Sequence, residues 1–165
     1  MKKYFLKITV TLGMVLALTA CGGNADTNTS DNIAETKTEN DEEIGEQTDM
    51  KMNVQVGDYT FTATLENNTA VDELVEMMKE GSVTINMRDY SGFEKVGSLG
   101  RSLTANDEQT TTAAGDIVLY NGNNIVMFYG SNSWSYTRIG KIDDLTDWKK
   151  ALGSGSITAI FTLVE

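Results

Sequence analysis

Gly115-Asp116-Ile117-Val118-Leu119-Tyr120-Asn121-Gly122-Asn123-Asn124-Ile125-Val126-Met127-Phe128-Tyr129 is the stretch that decides the fold. Two apolar runs, Ile117 to Tyr120 and Ile125 to Tyr129, flank a polar centre. Asn121-Gly122 supplies the positive φ angles that a tight hairpin requires. Runs this short, rich in Ile, Val and aromatic residues, read as strands rather than helices.

Downstream, Tyr136 to Ile142 is expected to form another strand. A helix follows from about Leu145 to Leu152, with Asp143 or Asp144 at its start, Leu145, Trp148 and Leu152 on one face, and Lys149-Lys150 late, where they complement the dipole. Gly153 closes it. Ile157 to Val164 is apolar on both faces, the pattern of a central strand.

Upstream, Met52 to Val56 and Tyr59 to Leu65 alternate about Gly57-Asp58, a favourable turn pair. Val71, Leu74, Val75 and Met78 recur on one helical face, with Asn68 or Thr69 as N-cap and Gly81 beyond the end. Val83, Ile85 and Met87 alternate in a third strand. The segment from Asp89 to Ala114 is expected to be irregular, and its Tyr90, Phe93, Arg101 and glycines suit the lining of a site. Six or seven strands with two short helices predict a mainly β fold, a small closed or nearly closed β-barrel.

Composition narrows the chemistry. The chain has no histidine and no cysteine except Cys21, which removes imidazole bases, thiolate nucleophiles and the usual nitrogen and sulfur zinc ligands. Asp143, Asp144 and Asp147 lack the Asp-x-Asp-x-Asp-Gly loop of an EF-hand. No metal and no cofactor is expected.

Charge divides the chain into three parts. Lys2, Lys3 and Lys7 precede or open an apolar run that ends at Leu18-Thr19-Ala20-Cys21, and residues 1–20 resemble the signal peptide of bacterial lipoprotein precursors. The uncharged part of that run would reach only about 20 Å as a helix against roughly 30 Å of hydrocarbon, so it suits a signal better than a permanent span. The resemblance implies cleavage before Cys21, lipidation of Cys21 and a place on the extracytoplasmic face of the cell membrane. Residues 21–50 follow as an acidic tether, with nine carboxylates against Lys37 alone, too polar to build a core. Residues 51–165 suffice for one domain. This domain is acidic, with nine Lys or Arg against fifteen Asp or Glu, which argues against nucleic acid as a partner.

The run Ala114 to Tyr120, the return through Ile125 to Gly130, and Tyr136-Thr137-Arg138-Ile139-Gly140-Lys141-Ile142 before a short helix resemble the bacterial cyclophilin-like fold proteins. The resemblance spans nearly all of Met52 to Val164 and implies a cyclophilin-like β-barrel. True cyclophilins are peptidyl-prolyl isomerases, in which an apolar pocket seats the proline ring and a guanidinium favours the twisted amide. Arg88-Asp89-Tyr90-Ser91-Gly92-Phe93 reproduces the family's spacing from Arg to Gly-Phe. Glu94 stands where the family has Met, Val96 where it has Gln, and Tyr136 near the His. Glu94 is expected to bind the Arg88 guanidinium in competition with substrate.

The resemblance therefore implies a ligand groove near Arg88, Phe93, Phe128, Trp134 and Tyr136. Three readings follow from it. One is a lipid-anchored module binding a peptide or small molecule without efficient catalysis. The others are a weak prolyl isomerase using Arg88 and an interaction subunit of an envelope assembly.

Overall fold

The structure, a computed structural model, describes residues 49–164. The signal peptide, Cys21 and all but the last two residues of the tether lie outside the described residues. None of the described helices is long and apolar enough to cross a membrane.

Strands β1 (Lys51–Val56) and β2 (Tyr59–Leu65) form the first hairpin. Its two-residue turn places Gly57 at φ 58°, which a side-chain-bearing residue resists. Helix α1 (Thr69–Glu80) begins at Asn68, whose Oδ1 accepts from Val71 N at 3.1 Å while its Nδ2 donates to Arg138 O at 2.8 Å. The cap thus ties the helix to a distant strand. Val71, Leu74, Val75 and Met78 are buried as the periodicity requires.

Strands β3 (Val83–Tyr90), β4 (Glu94–Ser98), β5 (Glu108–Thr111), β6 (Asp116–Tyr120), β7 (Asn124–Phe128) and β8 (Ser133–Ile142) follow, then helix α2 (Trp148–Leu152) and strand β9 (Ile157–Leu163). The sheet order is β2-β1-β9-β3-β4-β7-β6-β8, and pairing of β2 with β8 closes eight strands into a barrel. β5 adds to the free early part of β8 as an outer flap. β9 lies between β1 and β3, the central place its apolar pattern predicts.

Closure depends on one close approach. Gly140 pairs with Leu65 across the seam, and a Cβ there would stand 2.5 Å from the Thr64 carbonyl oxygen. A second tight point is Gly97, where a Cβ would meet Ile85 Cγ2 at 2.5 Å.

Three expectations are corrected. The segment from Asp89 to Ala114 is not irregular throughout: β3 runs on to Tyr90, and β4 and β5 fall within it, bringing the strands among the described residues to nine. Ser91 and Gly92, at φ 51° and 73°, make the same kind of turn as Asn121-Gly122. β4 escapes a pattern search because Glu94 and Lys95 are both buried, and β5 because it is a polar edge. Helix α2 starts at Trp148 rather than Leu145, which is 43% exposed. Neither Asp143 nor Asp144 caps that helix. The Asp143 carboxylate accepts from Lys51 Nζ and Thr64 Oγ1, each at 2.6 Å, and Asp144 Oδ1 accepts from Thr146 N.

The side chains segregate into two apolar clusters. The larger fills the barrel and takes in the buried faces of both helices, with Trp148 edge-on to Phe61 at 4.9 Å. The smaller joins Val118, Val126, Phe128 and Tyr136, with Phe93, Val96 and Tyr120 packed against it. β6 and β7 contribute to both clusters, which explains why they are apolar on both faces.

Candidate functional site

The smaller cluster is the floor of a groove of about 360 Å³ on the outer face of the barrel. Period-2 alternation places its lining. In the β4–β7 ladder, Glu94 faces Phe128, Val96 faces Val126 and Ser98 faces Asn124. On either side, Arg88 and Tyr90 of β3 pair with Val96 and Glu94, and Val118 and Tyr120 of β6 pair with Val126 and Asn124. Trp134 and Tyr136 of β8, with Asn132 just before that strand, complete the wall.

Aromatic packing fixes the floor. The Phe128 ring is fully buried, stacked with Phe93 at 6.5 Å and edge-on to Tyr136 at 5.7 Å, and Tyr136 meets Tyr120 edge-on at 6.0 Å. The Phe128 carbonyl accepts from Trp148 Nε1 at 2.8 Å and from Gly115 N at 2.9 Å, which anchors this strand end to α2 and to the β6 turn. Asn132 Nδ2 donates to Tyr136 Oη at 2.9 Å and so orients that ring.

Two charged residues of the lining differ sharply in environment. Arg88 is exposed and forms no ion pair among the described residues. Glu94 is 6% exposed, and its Oε2 is buried without a hydrogen-bond partner among the described residues. Burial pushes its carboxyl up to about 7. The expected ion pair between Arg88 and Glu94 is therefore corrected. Their positions are diagonal in the β3–β4 ladder, with Tyr90 rather than Arg88 opposite Glu94.

Behind the lining, Asp89 and Lys95 point the other way. The fully buried Lys95 donates to Asp89 Oδ1 at 2.7 Å, to Gly155 O at 2.8 Å and to Gly153 O at 3.1 Å, and its Nζ lies 5.5 Å from the centre of the Tyr129 ring. Tyr129 Oη also donates to Asp89. The Lys95 and Tyr129 hydrogen bonds hold the Asp89 carboxyl below its usual range, while burial and then Asp89 push the Tyr129 phenol up to about 12. This cluster fastens the β3–β4 hairpin, and with it the groove's edge, to the turn after α2.

Of the residues expected at the site, Arg88, Trp134 and Tyr136 are brought together on the lining. Phe128 lies beneath it. Phe93 is a turn residue: its carbonyl accepts from Tyr129 N and Gly130 N, and a Cβ on Gly130 would come within 2.7 Å of Phe93 Cβ. Tyr90, expected to suit a site, and Tyr120 join the lining with Asn132 and Glu94; Tyr120 and Asn132 were not expected there. The alternation of β3 and β6 carries the signal for the first two, since Tyr90 and Tyr120 are in phase with Arg88 and Val118. Among the described residues no group of three or more Asp, Glu or Cys is placed to hold a metal ion.

None of the curated proteins matches the chain. A comparison with protein families matches residues 54–162 to the Cyclophilin-like family. That span covers the barrel from β1 to β9, including every strand that builds the groove. The chain belongs to the cyclophilin-like family.

Proposed function

We propose that this protein is a lipid-anchored, extracytoplasmic lipoprotein whose cyclophilin-like barrel binds a peptide or small molecule in the groove between β3 and β8. One observation carries the binding reading: a concave, aromatic-walled site of about 360 Å³ that holds at one side a guanidinium with no ion pair among the described residues. The residues Leu18 to Cys21 support the anchor, which places the groove outside the cytoplasm.

Binding is favoured over prolyl isomerisation because the apolar seat that catalysis needs is altered. Phe93 and Phe128 lie under the lining, and the position beside them carries the buried acid Glu94. It is favoured over an assembly interface because the aromatics converge on a concavity instead of spreading over a flat patch.

Saturation-transfer and thermal-shift screening of the full chain against peptides and metabolites tests the proposal. Ligands whose binding is lost in Arg88→Ala and Trp134→Ala support it. Ligands indifferent to both changes overturn it. A protease-coupled isomerase assay beside Arg88→Ala tests the absence of catalysis, and turnover abolished by that substitution restores the enzyme.

A further inference from the structure

The groove combines features that the fold does not require. Glu94 is a carboxylate held among apolar and aromatic groups, more than nine-tenths buried, with an oxygen that nothing among the described residues satisfies. An unpaired buried acceptor is costly, and native proteins keep few of them. A salt bridge within the fold does not account for it, since neither Arg88 nor any other cation among the described residues pairs with it. The groove that Glu94 lines is also walled by Tyr90, Tyr120, Trp134 and Tyr136. Aromatic faces carry negative potential and attract cations, more strongly where water is excluded.

We propose, building on the binding reading above, that the groove selects ligands carrying an organic ammonium group, which the Glu94 carboxylate receives within this aromatic wall. The ammonium supplies the hydrogen bond that Oε2 lacks. Its charge is matched by the acid and by the ring faces, while its apolar body lies on Val96 and Val126. Tyr90 and Trp134, at 55% and 57% exposed, are free to turn onto the ligand. Arg88 sits two residues before Tyr90 on the same face, about 7 Å further along the strand, where it takes a carbonyl or carboxylate of the same ligand. A lysine side chain or an amino terminus within a short peptide has this chemistry.

Recognition depends on pH through Glu94. The titratable and charged groups around it are Arg88 and Tyr90 from β3, Tyr129 after β7, Tyr120 from β6 and Tyr136 from β8. Burial pushes the Tyr129 and Tyr136 phenols up, away from neutral pH, and the Glu94 carboxyl up to about 7, so Glu94 changes charge between pH 5 and 8.

The probes are benzylammonium and its neutral counterpart benzyl alcohol, each titrated into the full chain with amide and Trp indole NMR signals as readout. The expected result is an affinity for benzylammonium about tenfold above that for the alcohol near pH 8, a preference that disappears near pH 5. Glu94→Gln, which keeps shape and removes charge, is expected to abolish the preference near pH 8 and to show none near pH 5, as in the parent. Trp134→Ala is expected to weaken benzylammonium without altering the pH profile. Equal binding of both probes in the groove overturns the ammonium assignment and leaves the binding reading intact. Binding of neither probe overturns the assignment, and the peptide and metabolite screen then decides the binding reading independently.

Discussion

Glu94 stands directly opposite Phe128 in the β4–β7 ladder, on the outer face of the barrel, so an acid and a fully buried ring share one non-aqueous position. An outward strand residue is usually solvated. Here the wall raised by β3 and β8 closes over it, and the same geometry that makes the groove makes Glu94 abnormal.

Stability should report this. Glu94 titrates near 7 in the folded chain against 4.5 as the ordinary value. Because the folded value is raised, the stability contributed by the protonated acid is fully present below about pH 4.5 and is lost as pH rises through about 7. Glu94→Gln is expected to match the parent near pH 4 and to exceed it at about pH 8.5 by roughly 3 kcal/mol in urea unfolding. Asp89 and Asp143 shift the other way and lose stability as pH falls, but they do so equally in both proteins. A difference between the two proteins that stays constant with pH would contradict the burial of Glu94.

The Lys95 cluster should be strongly coupled. Lys95→Ala removes the partner of Asp89 and of two carbonyls, and a loss of about 3 to 5 kcal/mol is expected. Asp89→Asn leaves the carbonyl bonds to Lys95 in place and should cost less. A double-mutant cycle should show coupling of about 1 to 3 kcal/mol between the two positions. Additive losses would mean that the buried ammonium is held by the carbonyls alone.

Gly140→Ala should strain the barrel where it closes. The new methyl meets Thr64 O at 2.5 Å, and separating β2 from β8 there is expected to destabilise the chain by about 1 to 3 kcal/mol. Faster amide exchange concentrated at Glu66 and Asp143, whose N–H groups donate across the seam to Ile139 O and Thr62 O, is the specific signature. Unchanged exchange at the seam would contradict this account of closure.

Asn132→Ala tests how the groove is held rather than what it touches. Losing the donor to Tyr136 Oη is expected to cost about 1 kcal/mol and to weaken ligand binding without changing the fold. Affinity equal to that of the parent would show that packing with Tyr120 and Phe128 alone holds the Tyr136 ring.

The sequence makes the barrel legible wherever alternation or a turn pair is explicit. Gly57-Asp58 and Asn121-Gly122 mark hairpins because backbone geometry there demands particular residues. β4 hides for the opposite reason. Its acid and its lysine are buried by partners outside the strand, Tyr136 on one face and Gly153 and Gly155, with Asp89 of the adjoining strand, on the other, and no local pattern announces such burial. The site follows the same division. Arg88 and Trp134 can be reached from a spacing and a neighbouring strand. Glu94 enters only as a departure from the family's residue, and its unmatched oxygen is visible only once β3, β7 and β8 have been brought around it. Phe93 shows the reverse case, an aromatic expected at the groove that the chain uses to clamp a turn.

The most direct test of the central claim is amide chemical-shift mapping of the full chain with a ligand obtained by screening. The account predicts one contiguous set of perturbations spanning Arg88, Glu94, Val96, Tyr120, Trp134 and Tyr136. Saturable perturbations centred elsewhere, such as the Gly57-Asp58 turn, with the groove unmoved, would contradict it.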